Sequence, residues 1–239
     1  MHDHVQHGHQ EGGGGGQASP RLVRLCWRCL WWPGVQPGGW SNVALEDPAT
    51  SVHAYNPDID SWVNGPALPM AMSAMAAAEL IGSIFVCGGW LRIEDEQGGH
   101  PTNGSLLMLD PRTRAWATLP AMPTPVHAHA AVVAGRMYVS GGATDEAGRA
   151  TAQTFLQSYD LVAGRWDTSC VPMAQARMAH AVAALHGEVW ALGGQWWGAD
   201  QSYHRLASVE VYSPQLITWR SGVSLPHVWQ GGACAVVQC

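Results

Sequence analysis

Phenylalanine is nearly missing from this chain of 239 residues, which holds two of them against thirteen tryptophans, so its large packing groups must be indoles and phenols. Charge is scarce as well. Only 13% of the residues are charged, with 12 basic against 18 acidic and a net charge of −6. That balance excludes a nucleic-acid groove, which needs clustered basic side chains, and does not favour an anionic membrane surface. No apolar run reaches the length of a membrane span, and the opening M-H-D-H-V-Q-H-G-H lacks the basic and apolar parts of a signal peptide. The expectation is a soluble, cytoplasmic protein with no nucleic-acid or membrane partner. Six cysteines in a chain this long do not read as the disulfide framework of a small secreted domain. Cys87 and Cys234 fall in expected strands, where a thiol behaves as a small apolar group.

What is present is a period. Gly-Gly doublets stand at Gly38-Gly39, Gly88-Gly89, Gly141-Gly142 and Gly193-Gly194, at steps of 50, 53 and 52 residues. On the same beat, Tyr55, Leu109, Tyr159 and Tyr212 each precede a tryptophan by seven residues: Trp62, Trp116, Trp166 and Trp219. Turn chemistry lies between, as Asn56-Pro57-Asp58, Asp110-Pro111, Asp160 and Ser213-Pro214, so each interval reads as two short strands folded back on each other. Before each later doublet come two more apolar runs joined at a glycine turn, with Phe85, Tyr138 or Trp190 three residues ahead of the doublet. Their valine and alanine content suits a sheet covered on both faces.

Four short strands per unit of about 50 residues is the pattern of propeller blades. The predicted fold is all-β, with complete blades over 74–118, 128–168 and 179–221. Neighbouring blades must bury each other's faces, so Trp62, Trp116, Trp166 and Trp219 are expected to be largely buried, with Phe85, Tyr138 and Trp190 in the same layer. The glycines of the doublets, Gly88, Gly89, Gly141, Gly142, Gly193 and Gly194, are expected to serve close approach or positive φ. A phosphate loop would need a helix to follow, and none does.

The doublets, the large residue before the turn and the tryptophan after it resemble the kelch repeats of BTB-kelch proteins over roughly 35–239. The resemblance implies a propeller of four-stranded antiparallel blades, here about four where that family usually has six, as in a fragment of such a ring. It also implies that a last strand, 233–237, completes the first blade over 38–63. Residues 1–34 stand outside the pattern as a low-complexity or foreign leader expected to lack a fixed fold. By function, the resemblance implies substrate recognition for a cullin-RING ubiquitin ligase, with a cullin-type scaffold recruited only where a longer form carries a BTB segment.

Candidate chemistry is thin. His2, His4, His7 and His9 could bind a metal in a floppy chain, and Cys26-x-x-Cys29 has the spacing of half a zinc site. Both are read as incidental, and no metal or cofactor is assigned. His129 and His180 hold matching repeat positions and are read as packing or hydrogen-bonding groups. No nucleophile, base and orienting group can be named, so no catalytic residue is assigned and the chain is not read as an enzyme. Alternative readings are a propeller enzyme or metal-dependent specifier of the kelch superfamily, or a truncated fragment without function. The unrepeated loops are the better lead, because repeated strands with varied loops on one rim present a binding surface. A protein or peptide ligand is expected there on Glu94, Asp95, Glu96, Arg149, Arg177, Trp196, Trp197, Tyr203 and Arg205.

Overall fold

The computed structural model describes residues 50–91, 101–127, 130–133, 135–146, 149–231 and 234, together with the strands Val35–Pro37, Trp40–Ser41 and Asp47–Pro48. The expected leader at 1–34, with its histidines and Cys26 and Cys29, lies outside these residues, as does the proposed closing strand at 233–237 apart from Cys234. Every regular element among the described residues is a strand.

Three sheets are four-stranded antiparallel meanders in chain order. Blade II consists of Ala76–Leu80, Ser83–Cys87, Leu106–Asp110 and Ala115–Leu119. Blade III consists of Ala130–Val133, Arg136–Ser140, Leu156–Asp160 and Arg165–Asp167, and blade IV of Ala181–Leu185, Glu188–Leu192, Val209–Ser213 and Thr218–Ser221. The first strands of successive blades are neighbours, which makes them the inner edge of a β-propeller. Blade I has three described strands, Val35–Pro37, Val52–Asn56 and Ser61–Asn64, in the register of the last three strands of the others.

Local chemistry sets the hairpins. Ile81-Gly82 and His186-Gly187 turn the first strand into the second with φ of 51° and 75°, and 53° and 76°. Positive φ at both residues is the primed turn whose twist matches the strands. The third strand turns into the fourth through four residues whose last member is left-handed each time: Asp60, Arg114, Gly164 and Ile217. Asn56, Asp110 and Asp160 open three of these turns by accepting a backbone N–H from two residues on, at 2.8 to 3.0 Å.

The core lies between blades. Val52 and Leu68 meet Met72, Val86 and Leu107 in the first seam. Phe85, Cys87 and Leu106 meet Met137, Val139 and Tyr159 in the second, and Tyr138 and Leu156 meet Val189 and Tyr212 in the third. One blade therefore offers Phe85 or Tyr138 to the next, which answers with its tyrosine. The tryptophans depart from expectation. They hold equivalent places, paired in register with Tyr55, Leu109, Tyr159 and Tyr212, but are half-buried, and Trp62 is 40% exposed. The reason is position: the fourth strand is the outermost, so an indole there covers the seam from its rim. In blades II, III and IV each indole N–H donates across the seam to a carbonyl just past the previous blade's outer strand: Trp116 to Pro66 at 3.0 Å, Trp166 to Pro120 at 2.7 Å and Trp219 to Val171 at 2.7 Å.

Burial in the second seam pushes the Cys87 thiol up to about 12. Because the folded value lies above the unfolded one, this burial stabilises the fold fully below about pH 9 and loses its contribution as pH rises toward 12. Cys87 is expected to react with a thiol reagent only when the blades part, and alkaline destabilisation should be smaller in Cys87→Ala. Alkylation of Cys87 at the rate of a free thiol in native protein at neutral pH would contradict its place in the seam.

Candidate functional site

The loops after the doublets and the connectors between blades share one rim. Ser73 bridges to Trp90, His127 to Ala143 and Met178 to Gln195, so each connector is stitched to the loop of the blade it leads into. In blades III and IV that loop is a two-stranded ribbon, Ala143–Glu146 with Arg149–Ala152 and Gln195–Trp197 with Tyr203–Arg205, and the two ribbons lie side by side.

The blade IV ribbon is held rigidly by its own side chains. Trp196 stacks on His204 with ring centroids 4.6 Å apart, and Trp197 meets Tyr203 edge-on at 4.6 Å. At the tip, Asp200 pairs with His204 Nε2 at 2.9 Å and accepts the Ser202 hydroxyl at 2.8 Å. Those hydrogen bonds, the one from His204 first, hold the Asp200 carboxyl down at about 2. Ser202, His204 and Asp200 resemble a hydrolytic set in composition only. The hydroxyl donates to the carboxylate, and the same imidazole nitrogen faces both partners, so nothing draws a proton off the serine. The trio is a turn lock, and it leaves Tyr203 53% exposed beside the exposed Arg205.

The other residues expected on this rim fare differently. Glu94, Asp95 and Glu96 lie outside the described residues, and so does His129. Arg149 takes its place in the blade III ribbon, in register with Glu146. Trp196 and Trp197 are half-buried by their own ribbon.

Arg177 corrects the expectation. It is fully buried, and its guanidinium reaches the Glu210 carboxylate at 2.7 Å, the Gly193 carbonyl at 2.6 Å and the Ser208 carbonyl at 3.1 Å. The connector places this side chain inside the blade and leaves a partner nothing to touch. Glu210 was not anticipated. It accepts the N–H groups of Ala174 and Gln175 at 2.8 and 3.1 Å besides the arginine. Gln157 does the same work one blade earlier, accepting from Thr124 N–H at 3.1 Å and donating to its carbonyl at 3.0 Å. A signal existed: Gln157 and Glu210 each stand two residues before the repeat tyrosine, polar groups in strands otherwise apolar. His180 is buried with Nε2 3.2 Å from the Ser140 hydroxyl, a tie between blades III and IV. Among the described residues no group of three histidine, cysteine or acidic side chains is placed to hold a metal ion.

Relatives bear on this architecture. A profile of the Kelch motif matches residues 176–226, the connector and strands of blade IV. Human Kelch-like protein 33 is 32% identical over 138 residues, covering 53% of this chain and 23% of that protein. Human Kelch-like protein 34 is 27% identical over 202 residues, covering 81% of this chain and 29% of its own length. The chain carries a Kelch motif in blade IV and resembles the kelch-repeat domains of the kelch-like proteins. It also resembles Kelch repeat and BTB domain-containing protein 12 of Danio rerio, 30% identical over 160 residues, or 63% of this chain and 25% of that protein. The chain thus spans about a quarter of the length of the curated relatives it matches. The solved structure of YjhT superposes with a TM-score of 0.69 at 15% identity over 84% of this chain and 70% of that one, which speaks for the fold alone.

Proposed function

We propose that this kelch domain is a protein-interaction module that holds a protein or peptide on its ribbon rim, as the substrate-recognition part of a BTB-kelch-type ubiquitin ligase adaptor in the cytoplasm. The observation that carries the reading is the blade IV ribbon, where Tyr203 and Arg205 stand exposed on a hairpin locked by Asp200, Ser202 and His204. A rigid aromatic beside a guanidinium is the composition of an interface anchor, and the locked hairpin reduces the entropy cost of binding. One relative is named for a BTB domain as well as kelch repeats. In a longer form carrying such a segment, a cullin-type scaffold would be the second partner. No helix among the described residues is long and apolar enough to cross a membrane.

The test is affinity capture from cell extract, followed by binding measurements on whatever protein is captured. Tyr203→Ala and Arg205→Ala are each expected to weaken binding by about 2 kcal/mol, roughly thirtyfold, where they act as anchors. Both side chains are exposed, so thermal unfolding should not move. A folded double variant that retains the same partners at the same affinity would place the binding face elsewhere or remove it.

A further inference from the structure

The blade IV ribbon has two faces of different chemistry. Its ladder pairs Trp196 with His204, Gln195 with Arg205 and Trp197 with Tyr203. Side chains alternate along a strand, so Gln195, Trp197, Tyr203 and Arg205 share one face and the stacked Trp196 and His204 share the other. The second face serves the turn lock, where the Asp200 carboxylate is engaged by the Ser202 hydroxyl and by His204. On the first face Tyr203 and Arg205 are exposed and Gln195 and Trp197 are half-buried. Among the described residues no ion pair engages Arg205 and no hydrogen bond engages the Tyr203 hydroxyl or the Trp197 indole N–H, while the carboxylate of the tip, Asp200, is committed to the lock.

What this face offers a ligand is mostly donors. An indole N–H and a guanidinium donate and cannot accept, and a phenol can do either. The ligand that fits is rich in acceptors and poor in donors. A polyproline II segment meets that description, because its carbonyls are unbonded within the helix and each proline lacks the N–H that would need an acceptor. Shape agrees with this. The Trp197 and Tyr203 rings meet at 77° with centroids 4.6 Å apart, so one forms a floor and the other a wall against which a pyrrolidine ring can lie. Aromatic-lined surfaces of this kind are what polyproline II ligands dock onto. Arg205 lies two residues along the strand from Tyr203, about 7 Å away, a span that polyproline II covers in two or three residues. Its planar fork matches a carboxylate.

We infer that the Trp197, Tyr203 and Arg205 face of the ribbon binds a proline-rich segment in the polyproline II conformation, with a proline ring in the Trp197/Tyr203 corner and an aspartate or glutamate two or three residues away on Arg205. The inference rests on the ribbon rim being the binding face, and it names the chemistry of what that face takes. The ligand helix is preformed and the hairpin is locked, so little conformational entropy is lost on contact.

The test is selection of a phage library of random dodecapeptides on the full chain, followed by fluorescence polarisation of the selected peptides on the parent, Tyr203→Ala and Arg205→Glu. Both side chains are exposed, so the variants should melt as the parent does. Selected peptides should be enriched in proline, with an acidic residue two or three positions from one of the prolines. Tyr203→Ala should weaken them by about tenfold or more. Arg205→Glu should weaken the acidic peptide and strengthen its counterpart with lysine in place of the acid. Selected peptides without proline that still lose affinity on Tyr203→Ala would overturn the proline assignment and leave the ribbon as the binding face. Peptides indifferent to Tyr203→Ala, or a selection that enriches nothing, would overturn both the ligand and the ribbon site.

Discussion

Arg177→Ala is expected to lower the unfolding free energy by about 3 to 5 kcal/mol, the loss typical when one member of a buried ion pair is removed. The truncation strips Glu210 of its charged partner at 2.7 Å and leaves the carboxylate with two backbone donors in a site closed to water. It also removes the guanidinium from the Gly193 carbonyl and leaves the Ser208 carbonyl with the Gly193 N–H alone, at 3.0 Å. Denaturant unfolding followed by tryptophan fluorescence reads the midpoint directly. Glu210→Ala should cost a comparable amount, and the double variant less than the two losses added, since the surviving charge is the main penalty. A loss below about 1 kcal/mol for Arg177→Ala would mean that water replaces the guanidinium and that the site is not closed.

This pair explains why Arg177 belongs to stability while Tyr203 stands exposed as the proposed anchor, although both are connector or loop residues in sequence. The backbone of the connector is stitched to two ribbons, Arg177 to Gln153 and Met178 to Gln195, so its side chains have no freedom to choose the solvent. Among the described residues the hairpin tip at 198–202 is bonded to itself and to His204 of its own ribbon, and Tyr203 leaves it toward solvent. Binding residues are therefore sought on the ribbons, not on the connectors.

The repeat made most of the fold legible. A seven-residue interval from Tyr159 to Trp166 or from Tyr212 to Trp219 is the length of a hairpin whose ends lie in register, and the structure pairs those very residues. Predicted blade limits of 74–118, 128–168 and 179–221 meet observed strands that begin at Ala76, Ala130 and Ala181 and end at Leu119, Asp167 and Ser221. The depth of a residue within the blade was harder to read, because alternation tells which face a side chain takes but not how far the strand lies from the axis. Hence the indoles of the outer strand were expected to be buried and are half-buried. The rim was legible as a set of loops, and its ribbons were not: Q-W-W-G-A-D-Q-S-Y-H-R carries no alternation, and its order comes from the Trp196–His204 stack and the Asp200–His204 pair.

Gly142→Ala is expected to be among the most damaging single changes in the domain, at about 3 kcal/mol or more, because two penalties fall on one residue. Its φ of 90° is one that an L side chain rarely adopts. A β-carbon there would lie 2.0 Å from the His127 carbonyl oxygen, a backbone atom of the connector that cannot rotate out of the way. Moving either strand breaks a bond of the rim, since His127 N–H donates to Ala143 at 2.9 Å and Gly142 N–H donates to the Arg177 carbonyl at 2.9 Å. Gly187→Ala is the control. Gly187 has a φ of 76° in a hairpin turn, and nothing lies within 4 Å of the position its β-carbon would take. That change should cost only the conformational part, about 1 kcal/mol. The difference between the two unfolding midpoints then measures the close approach itself. Equal losses would show that the connector yields to a methyl group, and the stitching that withdraws Arg177 from the rim would be softer than its hydrogen bonds imply.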